Sequence, residues 1–323
     1  MSLATQRLSR RDLFVRGAQI GVGLAAAGPI ASLLEACGGA PASTSVDSLT
    51  YYKTHAIRLA YIVAPPQVYI DDKTGKVTGF GPDLIAAVLK NLGLKPFESV
   101  VAEWTAYIPG LLAKRWDISA IPFFVTPERC SKVGFTNPVT INGEGAVVRS
   151  GNPVGIHSWT DLKGSVKPAV VPGTAEQDWA KQLSIPNMVL FPDAPSAFAG
   201  IRAGRADAFL DSSFNLHSDL THYGGDGLEL VKPFKGPIIN GQEQIGYSGY
   251  AVRYEDITFL NAFNDEIAKM NQSGELQSIF GPYGYTPDLL APPLNLTAKD
   301  LCPAGKWPAD YKDPYPAPYK PTA

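Results

Sequence analysis

Residues 104–138 read Trp104-Thr-Ala-Tyr107-Ile-Pro-Gly-Leu-Leu-Ala-Lys-Arg-Trp116-Asp117-Ile-Ser-Ala-Ile-Pro-Phe-Phe124-Val-Thr-Pro-Glu-Arg129-Cys-Ser-Lys-Val-Gly-Phe135-Thr-Asn-Pro138. Tyr107, Ile108, Leu111 and Leu112 recur at helical spacing, and residues 117–121 read as a strand. Before this stretch, residues 57–63 and 97–102 read as strands. Between them Leu84, Ile85, Val88 and Leu89 mark a helix that opens at Pro82-Asp83 and closes at Gly93. The second half repeats the alternation. Residues 168–171 are a strand, Gly173-Thr174 opens a helix, 194–203 is a helix and 208–210 a buried strand. Residues 245–252 form a strand, and 259–272 an amphipathic helix ending at Gly274. Strands alternating with helices predict an α/β fold with mostly parallel sheets, and two such runs predict two lobes.

Composition narrows the function. The 323 residues are 45% apolar and carry a net charge of −2, so the chain can bury a core and is not disordered. No basic excess exists to neutralise phosphates, which argues against a nucleic-acid partner. His55, His157, His217 and His222 are too dispersed for the usual metal spacings, so no metal or cofactor is expected. Phosphate-binding loops and Ser-centred nucleophile elbows are absent, and Gly246-Tyr-Ser-Gly-Tyr250 fails the elbow spacing. The reading is therefore of a protein that is not an enzyme.

The start of the chain reads as an address. Ser9-Arg10-Arg11-Asp12-Leu13-Phe14 precedes an uncharged stretch, residues 17–34, which ends at Leu34-Glu35-Ala36-Cys37. The paired arginines resemble a twin-arginine export motif. Leu34, Ala36 and Cys37 resemble a lipoprotein processing site, with Glu35 a departure from it. Residues 1–36 are then a signal peptide, Cys37 the lipidated residue, and 37–50 a flexible Gly/Ala/Pro/Ser/Thr tether. One acyl chain holds a membrane only marginally. The resemblance implies several on this cysteine, hence a lasting tether outside the cytoplasm, in the periplasm or at the cell surface.

The order of helix, Asp117 strand, Thr126-Pro127-Glu128-Arg129 and Phe135-Thr136-Asn137-Pro138 resembles the periplasmic amino-acid-binding proteins of ABC importers, solute-binding protein family 3. Gly79-Phe80-Gly81-Pro82-Asp83-Leu84, Gly204-Arg205-Ala206-Asp207-Ala208 and the segment from Gly246 to Phe280 add to it. The resemblance implies a type II periplasmic-binding-protein fold, two α/β lobes joined by two crossing hinge segments near 146–149 and 247–252. Lobe 1 would comprise 51–147 plus 250–290, lobe 2 148–249, and 291–323 a proline-rich C-terminal tail. It implies a monomer that hands a small zwitterionic solute to an ABC permease and ATPase complex. A same-fold enzyme of dehydratase type and a ligand-sensing receptor component remain alternatives.

The resemblance also suggests site residues. Arg129 would receive the ligand's carboxylate, for which a planar guanidinium fork is suited. Without it, Arg129 is an ordinary arginine near a helix start. Thr174, at the second lobe's strand-to-helix junction, would offer a helix N-terminus to the same carboxylate, or simply be an N-cap. Phe124, with Trp104 twenty residues earlier, resembles the ectoine/hydroxyectoine-binding subgroup, where aromatic faces surround a cationic ring. The alternative is that both rings are core residues. Gln67 stands where relatives often carry Phe, and Asp211 or Ser212 where an Asp often pairs the ligand's amino group. With Cys37 lipidated, Cys130 and Cys302 are left to form a disulfide that clamps the tail to lobe 1.

Overall fold

The computed structural model describes residues 47–290 and 295–315. The signal peptide, Cys37 and most of the tether fall outside the described residues, as do parts of the tail.

The first sheet has three parallel strands in the order Glu98–Val101, Arg58–Tyr61, Ile118–Ser119. The helix Phe80–Asn91 makes the crossover between the first two, burying Leu84, Ile85, Val88 and Leu89 on one face. Fully burying such a side chain stabilises the fold by about 1.5–3 kcal/mol. Asp117 enters the third strand as the hub of a buried ion cluster. Arg58 donates to both its oxygens, at 2.9 and 2.8 Å. Arg253 adds a bond at 2.7 Å and holds Asp256 at 2.7 Å as well. Burial pushes the Asp117 carboxyl up, but the bonds from Arg58 and Arg253 outweigh it and hold the group below its ordinary value.

The second sheet has five strands in the order Val189–Leu190, Pro168–Val170, Ala208–Ser212, Glu144–Arg149, Leu228–Leu230. The first three are parallel, and Glu144–Arg149 is antiparallel to both its neighbours. Trp159, Trp179, Val170 and Leu210 pack in one of its cores, Phe198, Phe209, Val147 and Leu216 in the other. Both faces are covered, as parallel sheets require.

A three-stranded antiparallel ribbon joins the two lobes, with Gly246–Gly249 between Phe123–Phe124 and Thr140–Asn142. The first crossing differs from the sequence reading. Ala146 and Val148 are already paired with Leu210 and Ala208, and Glu144 with Ser212, so the second sheet begins at Glu144. The passage between lobes is 140–143, not 146–149. Gly246 is required there, because a Cβ on it would lie 1.9 Å from the Phe124 ring.

Two helices of the lobes, besides a short one in the tail, escape the sequence reading. Ser48–Thr54 is capped by Asp47, and its Ser48 hydroxyl bonds Thr258 at 2.9 Å. The end of the expected tether, from 48 to 50, is thus part of the folded body. Ser213–Tyr223 follows directly on the strand Ala208–Ser212, with Ser212 as N-cap.

The described part of the tail lies on lobe 1. Thr297 and Asp300 form a capping box on the short helix Ala298–Leu301. Trp307 stands edge-on to Tyr254 at 5.3 Å, and Asn261 bonds the backbone at Asp310 and Lys312. Cys302 is joined to Cys130, with Cα atoms 6.1 Å apart.

Candidate ligand-binding cleft

A cavity of about 200 Å³ opens between the two sheets, beside the ribbon. Arg129, Phe124, Trp104, Thr174, Gln67 and Asp211 all line it, drawn from five separate stretches of chain.

Arg129 is carried by the one-turn helix Pro127–Cys130, which Thr126 caps and Pro127 opens. Arg129 is 6% exposed. One arm of its guanidinium donates to the Phe124 carbonyl at 2.8 Å and the other crosses the cleft to the Gly173 carbonyl at 3.0 Å. Two aromatic rings flank it, with centroids at 5.6 Å for Trp104 and 4.9 Å for Phe123. Burial pulls its pKa down, while the charges of Glu176, Asp178 and Glu128 draw it back. Among the described residues it has no ion-pair partner. A guanidinium has five N–H donors, and two carbonyls leave the others for a guest.

The remaining predicted residues are placed as follows. Trp104 turns its indole toward Arg129 and Gly173, whose Cβ position would lie 3.7 Å from the indole nitrogen. Phe124 packs over Gly246 and toward Trp179, at 5.9 Å between ring centroids. Thr174 is the N-cap of Ala175–Gln182, accepting from the Gln177 N–H and donating to the Val171 carbonyl. Gln67 donates to the side-chain oxygen of Asn215 across the cleft. Asn215 in turn donates to Asp211 at 2.9 Å, and the Ser212 N–H adds a second bond.

Sequence reasoning missed Phe123, Asn215 and, above all, a row of carboxylates on lobe 2. Glu176 is 3% exposed, and burial with the nearby Asp211 charge pushes it up to about 8. Asp219 is pushed up to about 8 by burial and Asp211, and Asp211 to about 6 by burial. Behind them Glu144 has two buried oxygens with no hydrogen-bond partner. Burial, then the charges of Glu176 and Asp211, raise it well above the ordinary range. None of the four forms an ion pair among the described residues, nor do any three metal-ligating side chains group around a metal position there. The signal for Glu176 was its place in the first turn after Thr174, where an acidic residue also reads as a plain partner of the helix dipole.

A cationic fork on one wall and acidic side chains on the other, of which Asp211 is the most readily ionised, can hold a molecule bearing both charges. Similarity to known proteins points the same way. A protein from Sinorhizobium fredii, described as a probable amino-acid ABC transporter periplasmic-binding protein, is 32% identical over 72% of this chain and 78% of its own. The L-cystine-binding protein TcyJ of Escherichia coli is 32% identical over 67% of this chain and 77% of its own. The crystal structure of EhuB in complex with hydroxyectoine superposes with a TM-score of 0.69 at 26% identity, covering 80% of this chain and 99% of that one. These relatives are solute-binding proteins rather than enzymes. Residues 57–286 match the model of their family, and the chain belongs to the bacterial extracellular solute-binding proteins, family 3.

Proposed function

We propose that the protein is an extracytoplasmic solute-binding lipoprotein of an ABC importer, which captures a small carboxylate-bearing zwitterion by closing its lobes. The observation that carries this reading is Arg129, buried, without an ion-pair partner among the described residues, and opposite the carboxylates of lobe 2. In the proposal Arg129 takes the ligand's carboxylate, and Glu176 or Asp211 its amino group. Phe124 and Trp104 wall the site, and Gln67 and Thr174 complete it. The lobes turn about 140–143 and Gly246–Gly249, and closure is favoured by the ligand because it binds the closed state better.

The names of the relatives support the ligand class. Cystine and hydroxyectoine each carry a carboxylate and a cationic group. Cys37, after removal of residues 1–36, would carry the lipid that keeps the monomeric receptor beside its permease and ATPase. A thermal-shift panel of amino acids, ectoines and betaines tests the core of the reading. At least one zwitterion raises the melting temperature; a flat response across the panel overturns it. Membrane fractionation tests the anchor, since Cys37→Ser should release the protein into the soluble fraction.

A further inference from the structure

One face of the ribbon between the lobes forms the floor of the cleft. Phe124, Ser248 and Thr140 stand opposite one another in register, and Asn142 stands opposite Gly246 two positions on. Residues in register, or two apart along a strand, share a face. The side chains of Phe124, Ser248, Thr140 and Asn142 therefore project together, and all four line the cavity. Gly246 adds no side chain to that face, and the Phe124 ring fills the space above it. Asn142 is thereby set beside one of the proposed aromatic walls.

Asn142 is 6% exposed and Thr140 1%. The Asn142 Nδ2 donates to the Thr140 hydroxyl at 3.4 Å, and both side chains hold the Tyr285 hydroxyl. The Asn142 Oδ1 is buried and accepts no hydrogen bond among the described residues. A buried acceptor without a donor is costly, and a site built around one rejects a guest that has no donor to offer it. The ligand's ammonium has a better seat. Asp211 lines the same cavity and is raised only to about 6, so it is ionised at neutral pH. A neutral amide oxygen suits an uncharged N–H or O–H.

Resting on the binding-protein reading, we propose that Asn142 is a specificity-determining residue, whose Oδ1 receives an uncharged N–H or O–H donor that the solute carries besides its carboxylate and amino group. A solute with that donor satisfies the oxygen as the lobes close. One without it leaves the oxygen sealed and unpaired. Glu144, two residues further along, also has buried oxygens without partners, but it is not among the residues lining the cavity, so the role falls to Asn142.

Calorimetric titration of the full protein with matched pairs tests this: L-threonine against L-valine, L-glutamine against L-methionine, and hydroxyectoine against ectoine. The first of each pair carries an uncharged donor that the second lacks. In at least one pair the first member should bind about tenfold or more tighter, a difference of ~1.4 kcal/mol. Asn142→Leu, of similar volume, should erase that preference, and the smaller Asn142→Ala should do the same, with circular dichroism confirming an intact fold. A preference in no pair overturns the inference while leaving the binding-protein reading standing, as does a preference unchanged in the folded variants. Binding confined, across the wider panel of amino acids, ectoines and betaines, to solutes without such a donor overturns it likewise. Failure of every zwitterion to bind overturns both.

Discussion

Arg129 donates across the cleft to the carbonyl oxygen of Gly173 at 3.0 Å, and so one side chain of lobe 1 grips the helix entrance of lobe 2. The same guanidinium is the proposed carboxylate receptor, which ties ligand capture to the closed arrangement of the lobes. Arg129→Lys keeps a positive charge but replaces a planar five-donor fork with a three-donor ammonium that cannot grip a carboxylate bidentately while holding both carbonyls. Ligand affinity should fall, and by about 2–5 kcal/mol in Arg129→Ala, which removes one partner of the pair outright, measured by calorimetry, with little change in the far-ultraviolet spectrum. Unchanged affinity refutes the assigned role.

Gln67 and Asn215 make a second bridge between the lobes, and the Ser218 hydroxyl donates to the Pro65 carbonyl at 3.1 Å beside it. Gln67→Ala removes a bond present only when the lobes approach. The ligand-free protein should become more extended in small-angle scattering and bind its ligand more weakly. An unchanged scattering profile counts against a closing role for this bridge.

The buried acids set an unusual pH dependence. In the folded chain Glu176 and Asp219 titrate at about 8, against ordinary values of 4.5 and 3.8. Between those limits the folded protein holds protons that the unfolded chain has released, so stability falls as pH rises through this window. Thermal denaturation of the ligand-free protein at pH 5, 6.5 and 8 should show the decline. Glu176→Gln and Asp219→Asn should flatten it; slopes identical to the parent would show that these groups titrate normally.

The Cys130–Cys302 bridge spans 172 residues of chain. Removing a native disulfide of this kind costs about 2–4 kcal/mol. Cys302→Ser should lower the melting temperature, and unreduced protein should show no free thiol from this pair. Two reactive thiols in unreduced protein would mean that the bridge does not form.

Asp117→Asn should be among the most damaging single substitutions in lobe 1. It leaves Arg253 buried with Asp256 and a longer contact to the exposed Glu255 as its remaining counter-charges, and weakens the hold on Arg58. Breaking a buried ion cluster costs about 3–5 kcal/mol, readable as a lower urea midpoint.

Much of the fold was legible because its signals are local. The spacing of Leu84, Ile85, Val88 and Leu89 gives a helix, and Gly93 and Gly274 adopt positive φ where helices were expected to end. The motif around Arg129 pointed to a side chain that lines the cleft, and Thr174 is a cap that its position predicts. The rest depends on tertiary placement. Strands of two residues, such as Phe123–Phe124, show no period to read. Alternation along that strand sends Phe123 to Arg129 and Phe124 to Trp179, a distinction that two adjacent identical residues hide. Helix Ser213–Tyr223 has few apolar positions, and only Leu216 is fully buried on it. Whether Glu144 and Glu176 are buried or solvated depends on what packs over them, which no spacing in the chain specifies.

Every described anchor of the C-terminal segment is on one side of the cleft: Cys130, Asn137, Tyr254 and Asn261. The segment thickens one jaw and leaves the other unshackled. A fluorophore near Trp307 would therefore ride with lobe 1 as a fixed reference, and a second on an exposed lobe 2 position such as Lys163 would report the swing. The strap thus makes the protein a natural frame for an optical sensor of its own ligand, with one label stationary and the other moving.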